Sequence, residues 1–269
     1  MDNSIFSSSK DVFLDVVDSK DYIHLDRLAN IYDSLKSTVQ KPLKMVLLYG
    51  KPGTGKSMLL SKLHEDLLES QKIFIYQTPI VDESEFYKLL AQDILGIKYS
   101  GELNFTQFMK VVQKHKIEEI PIILLDEAQL YSDMLMEKIR LLSDTRAVKF
   151  VITLHKTEKE DLIAKEHFQT RIWESIELGN ASVEELKIYI QKKLMKVDCV
   201  DSANMFQDKP MALIHKLTQG NYRDTNKLLY TIFEIYEYYS LQDSRKIQSN
   251  KISNKIIEMA AIHTGLLDA

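Results

Sequence analysis

Gly50-Lys51-Pro52-Gly53-Thr54-Gly55-Lys56-Ser57 fits the pattern G-x-x-x-x-G-K-[ST] at every constrained position. The run before it, Leu43 to Tyr49, is apolar and strand-like, and the run after it, Met58 to Leu68, has helical periodicity. Strand, loop and helix are the order a phosphate-binding loop requires. Its glycines let the backbone turn successive N–H groups inward to phosphate oxygens, and the helix that follows adds its positive dipole end. The octet and the adjoining Met58 are therefore expected to cradle a nucleotide. Lys56 would bridge the β- and γ-phosphates and the Ser57 hydroxyl would ligate Mg²⁺.

A second motif lies about 70 residues further on, where the continuous apolar run Ile120 to Leu125 ends in Asp126-Glu127-Ala128-Gln129. Unbroken apolarity suits a strand buried on both faces of a parallel sheet, and Pro121 is tolerated at its beginning. A carboxylate at the carboxyl end of such a strand sits beside the Mg²⁺ of a bound triphosphate, which assigns Asp126 to the metal. Glu127 is then placed to orient and deprotonate the attacking water. A further strand, Val148 to Leu154, brings Thr153, His155 and Lys156 to the edge where ligands bind in doubly wound sheets, and His155 is the residue expected to touch the γ-phosphate or the water.

Composition bounds the rest. The chain has 269 residues, 45% hydrophobic, a net charge of -4 and a pI near 6.0, which argues against a surface built wholly for nucleic acid or anionic membrane. A single cysteine, Cys199, excludes an internal disulfide and a cysteine-based metal cluster. Neither a secretory signal nor a run of roughly 20 apolar residues for a spanning helix is evident. The expectation is a cytoplasmic protein without direct membrane insertion.

Residues 1 to 10 are expected to be disordered. A helix is expected over Asp21 to Leu35, with Tyr22 and Ile23 as adenine contacts. Next come a strand at Lys72 to Tyr76 and helices at Glu83 to Leu95, Phe105 to Val112 and Met134 to Leu142. A charged helix from Glu158 to Ala164 precedes Arg171 and a strand at Ile172 to Leu178. From Ser182, where Ser182-Val183-Glu184-Glu185 forms a capping box, only helices follow: Val183 to Met195, Met211 to Leu217, Thr225 to Tyr238 and Asn254 to Ile262. Residues 11–180 thus read as an α/β core with a parallel sheet flanked by helices, and 181–269 as a small all-α lid with a polar loop at Gln242 to Asn250.

Both nucleotide motifs followed by a helical lid resemble the AAA+ ATPases, and within them the ExeA/GspA-like group. That group is related to the transposition ATPases TniB and MuB and to Orc/Cdc6-type proteins. The likeness rests on Leu124-Leu125-Asp126-Glu127-Ala128-Gln129, Glu137-Lys138-Ile139-Arg140-Leu141-Leu142-Ser143, Arg171-Ile172, Ser182-Val183-Glu184-Glu185-Leu186 and Gly220-Asn221-Tyr222-Arg223-Asp224-Thr225-Asn226. It implies that Arg223 is sensor 2, reaching for the γ-phosphate, and that Arg171 is a finger acting on a neighbour's nucleotide, with Arg146 as the rival. The family's usual turn after the fourth strand is replaced here by His155-Lys156-Thr157-Glu158, which leaves sensor 1 open.

The resulting expectation is an ATP- and Mg²⁺-dependent ATPase that self-assembles when ATP is bound and moves a protein partner of a membrane-associated secretion, pilus or DNA-uptake assembly. Two alternatives stand beside it. One is a DNA-linked ATPase of the transposition or initiator kind, although Ser182 to Lys255 carries only twelve Lys/Arg against nine Asp/Glu, so charge does not indicate a DNA surface. The other is a nucleotide-gated switch with little turnover, against which Glu127 argues.

Overall fold

A computed structural model of the chain describes residues 5–115, 117–157, 169–242, 247 and 251–268. In chain order the elements are α1 (Ile5–Asp11), a 3-10 turn (Ser19–Asp21), α2 (Asp26–Val39), β1 (Met45–Gly50), α3 (Lys56–Leu67) and β2 (Ile73–Tyr76). They continue with α4 (Glu83–Leu95), α5 (Phe105–Lys114), β3 (Ile122–Leu125), a 3-10 turn (Ala128–Leu130), α6 (Asp133–Asp144), β4 (Lys149–His155) and β5 (Ile172–Leu178). The last elements are α7 (Val183–Met195), α8 (Val200–Asn204), α9 (Asp208–Thr218), α10 (Tyr222–Gln242) and α11 (Asn254–Thr264). The helix expected over 158–164, and positions 243–246 and 248–250 of the expected polar loop, lie outside the described residues.

Two compact units result: Arg27–Lys51 with Lys56–Leu178, and Met1–Asp26 with Pro52–Gly55 and Gly179–Ala269. The first is an α/β core whose five strands, all parallel, run in the order β2-β3-β4-β1-β5. Strands β1 and β3 are buried along their whole length, which is why they read as unbroken apolar runs. Side chains alternate across the sheet. Met45, Leu47, Ile123, Leu125, Phe150 and Ile152 join a core with Phe86, Leu90, Phe108, Leu135 and Ile139 of α4, α5 and α6. Each such Leu, Ile or Phe contributes about 1.5–3 kcal/mol by leaving water. Strand β5 closes one edge and alternates burial only in its second half, leaving Trp173 65% exposed.

The second unit is helical. Residues 5–10, expected to be disordered, form most of α1. Phe6 packs on Phe233 and Tyr236, with ring centroids 6.4 and 5.2 Å apart, and Ser9 Oγ donates to Ser202 Oγ at 2.7 Å inside the unit. The Ser-rich composition hid this because Ser9 is a buried, hydrogen-bonded serine. The helix expected from Asp21 begins instead at Asp26. Ahead of it, Asp18 caps the short 3-10 turn by accepting from the Lys20 N–H at 2.9 Å, and residues 22–25 are non-helical. Residues up to Asp26 therefore belong with the C-terminal helices rather than with the core.

The expected capping box at Ser182 is present, with the Ser182 hydroxyl accepting from the Glu185 N–H and the Glu185 carboxylate from the Ser182 N–H. In α10, Phe233 and Tyr236 are fully buried and only Tyr238, at 59%, is well exposed, so this aromatic series is mainly core. Among the described residues no helix is long and apolar enough to cross a membrane.

Candidate functional site

Parallel pairing brings the carboxyl ends of β1, β3 and β4 to one edge of the core sheet. Gly50, the last residue of β1, lies beside His155 at the end of β4, and Leu125 lies beside Ile152. Chemistry-bearing side chains collect at this edge because each strand stops there. Lys56 opens α3 directly after the loop, is 8% exposed, and donates from Nζ to the Gly50 and Lys51 carbonyls at 2.9 and 3.0 Å. Ser57 and Met58 follow in the first turn, half-buried.

Asp126 is 5% exposed and Thr153 of β4 fully buried. The Thr153 hydroxyl donates to Asp126 Oδ1 at 2.5 Å and accepts from the Glu127 N–H at 2.9 Å, while that N–H also reaches Asp126 Oδ1 at 3.0 Å. The arrangement explains how Glu127 holds a left-handed backbone, φ 48° and ψ 45°, which non-glycine residues avoid because Cβ crowds the carbonyl. Such strain persists where neighbours over-determine it. Thr153, rather than the expected His155, is the β4 residue that hydrogen-bonds to both Asp126 and the Glu127 N–H. The available signal was a lone hydroxyl inside the apolar strand Phe150-Val151-Ile152-Thr153-Leu154. His155 is half-buried, with Nε2 3.4 Å from Gln129 Nε2.

At the loop tip Lys51 and Pro52 are exposed, Thr54 is buried, and Gly53 and Gly55 take φ of +78° and +94°. These two positions require glycine. A loop of this backbone followed by a lysine and a hydroxyl fits a polyphosphate. Among the described residues no group of three or more His, Cys, Asp or Glu could hold a metal.

Arg171 precedes β5 at the opposite, amino edge of the core sheet, where it donates from Nε and Nη2 to Asp144 at 3.1–3.2 Å. Asp144 also binds Lys44 at 2.6 Å and Arg140 at 3.1 Å. Burial alone would raise the Asp144 carboxyl, but the hydrogen bonds and charges of Arg171 and Lys44 hold it below the usual carboxylate value. Arg146, also near that edge, is exposed with φ 58°. In the helical unit, Arg223 donates from Nε to Asp15 at 3.1 Å with both side chains more than half exposed, a pair worth about 0–1 kcal/mol. Tyr22 ends the 3-10 turn and Ile23 is buried beside it.

No curated protein sequence matches the chain. Residues 40–162 match the AAA domain family. Among solved structures, the chain is similar to Cdc6p from Pyrobaculum aerophilum, at TM-score 0.67 and 15% identity over 95% of this chain and 71% of that one. It is also similar to the Aeropyrum pernix Orc1 protein in complex with DNA, at 0.63 and 16% over 94% and 69%. The Aeropyrum pernix Orc2 protein, solved as ADPNP-ADP complexes, gives 0.64 and 13% over 94% and 71%. The chain thus adopts the P-loop AAA+ fold followed by a helical region.

Proposed function

We propose that the protein binds and hydrolyses ATP and uses the cycle to change conformation on a macromolecular partner. The observation that carries the reading is the hydrogen-bonded set Thr153, Asp126 and Glu127 at the sheet edge where Lys56 opens its helix. Loop N–H groups and Lys56 hold the phosphates. Bound Mg²⁺, ligated by Ser57 and Asp126, would neutralise charge on the β- and γ-oxygens. Glu127 takes a proton from the attacking water, and Thr153 keeps the Glu127 backbone in place for it. Arg223 is assigned to the γ-phosphate and His155 to the water. Tyr22 and Ile23 are assigned to the adenine. Arg171 would serve a neighbouring copy's nucleotide in an ATP-favoured homo-oligomer, after leaving Asp144.

For the partner, the resemblance to ExeA/GspA-like proteins favours a protein in a cytoplasmic-side membrane assembly of the secretion, pilus or DNA-uptake kind. A second reading, DNA, is favoured by the fold similarity to an Orc1 protein solved in complex with DNA. Two measurements test these proposals. Glu127→Gln is expected to abolish turnover while ATP stays bound; equal, near-zero turnover in wild type would sink the ATPase reading. Duplex DNA that neither binds in a salt-sensitive way nor raises turnover at low salt would remove the second reading.

A further inference from the structure

The tip of the phosphate loop is gripped by the turn that opens α10, within the same compact unit. Asn221 Nδ2 donates to the Pro52 carbonyl at 2.6 Å, and the Tyr222 N–H donates to the Gly53 carbonyl at 3.1 Å. The amide of Asn221 has only one workable orientation. Its Oδ1 accepts from the N–H groups of Arg223 and Asp224 at 3.1 and 3.3 Å, capping α10, so the group facing Pro52 must be the NH₂. The approach is so close that a Cβ on Gly53 would stand 2.2 Å from Asn221 Oδ1 and 2.8 Å from Arg223 Cβ.

A consequence follows from the peptide plane. In a trans peptide the C=O and the N–H point in opposite directions, and no cis bond occurs among the described residues. Drawing the Pro52 carbonyl toward Asn221 therefore turns the Gly53 N–H the other way. Drawing the Gly53 carbonyl toward Tyr222 does the same to the Thr54 N–H. Two successive donors are thus held with one sense, which is how backbone N–H groups form an anion-binding concavity. Gly53, at φ +78°, has the freedom to let these peptides flip, and the grip removes that freedom.

We propose that Asn221 is a positioning residue for phosphate binding: through the Pro52 carbonyl it pre-aims the Gly53 and Thr54 N–H groups at the phosphates of the nucleotide. The proposal rests on the ATP-binding reading above. Asn221 acts through the loop backbone and touches no phosphate itself. The Tyr222 half of the grip is main-chain, so Asn221 is the half that a substitution can remove.

Asn221→Ser tests this. Serine keeps a neutral helix-capping oxygen, so α10 retains its start, but it is too short to cap and reach Pro52 together and carries no amide donor. Calorimetric affinity for ATP and ADP, turnover at saturating ATP, and the melting temperature are measured on the full chain. The loss of one hydrogen bond predicts ATP and ADP affinities lower by about three- to tenfold. The kcat should stay within twofold of wild type and the Tm within about 2 °C, a split that general damage to the fold would not give. Wild-type affinity in Asn221→Ser overturns the proposal alone, and so does a weakened affinity accompanied by falls in both kcat and Tm. A wild-type protein that binds neither nucleotide overturns the ATP-binding reading and this proposal with it.

Discussion

Thr153→Val preserves the shape of a fully buried side chain and replaces its hydroxyl with a methyl. Asp126 then loses a donor at 2.5 Å, and the Glu127 N–H keeps a single acceptor, Asp126 Oδ1 at 3.0 Å. A hydrogen bond to a charged group contributes about 1.5–3 kcal/mol, and the extra buried methyl returns about 0.8 kcal/mol. The net cost is about 1–2 kcal/mol, or roughly 2–8 °C in Tm for a unit of this size. Turnover should suffer more than stability. With one anchor gone, the left-handed Glu127 backbone relaxes, and a displacement near 1 Å in a catalytic group lowers rate by about 100-fold. The kcat should therefore fall 10- to 100-fold while KM for ATP changes less than about threefold, since Lys56 and the loop are untouched. Steady-state phosphate release read beside thermal unfolding measures both quantities, and Thr153→Ser should restore most of the rate. A Thr153→Val protein with wild-type kcat refutes the reasoning, as does one whose loss lies wholly in ATP affinity.

Lys56→Ala is expected to abolish detectable ATP binding by fluorescence titration, and retained tight binding would count against the loop assignment. Asp144→Asn removes a carboxylate shared by Lys44, Arg140 and Arg171 and should lower stability by about 1.5–3 kcal/mol near neutral pH. Because the folded carboxyl lies below its ordinary value of 3.8, this contribution is fully present above that pH and fades as pH falls through the lower folded value. Denaturant titrations of the two proteins should therefore converge in strong acid, and a constant difference would exclude this origin. Gly220→Ala would place a Cβ 2.0 Å from the Ala181 carbonyl at a φ of +76°, so urea unfolding should report a loss of at least about 2 kcal/mol; an effect under about 0.5 kcal/mol would mean the turn relaxes.

The sheet could be read in the sequence because β1, β3 and β4 are buried on both faces and show as apolar runs, and because the glycine-rich octet permits few contexts. The termini of α4, β5 and α7 fall where expected, and the starts of the two helices are set locally by the Asp82 and Ser182 caps. What stayed hidden depends on contacts distant in sequence. Helix α1 is held by Phe233 and Tyr236, and α8 has five residues, too few to display a period. Thr153 looked like one more polar residue at a strand end until register placed it against Asp126. Arg171 carried a family-like position, but nothing local revealed its engagement with Asp144.

Packing of α1 on α10 has a consequence for how the chain is made. Lys10 pairs with Glu237 across 227 positions, so at roughly 5–20 residues per second Phe6 and Phe13 leave the ribosome about 10–45 s before their aromatic partners. The parallel sheet, by contrast, has all its strands once Leu178 has emerged. Synthesis therefore passes through a stage in which a complete sheet is joined to a helix whose apolar face is still bare. Release of a chain cut short before α10 would fix that stage permanently, turning a transient exposure into a sticky end.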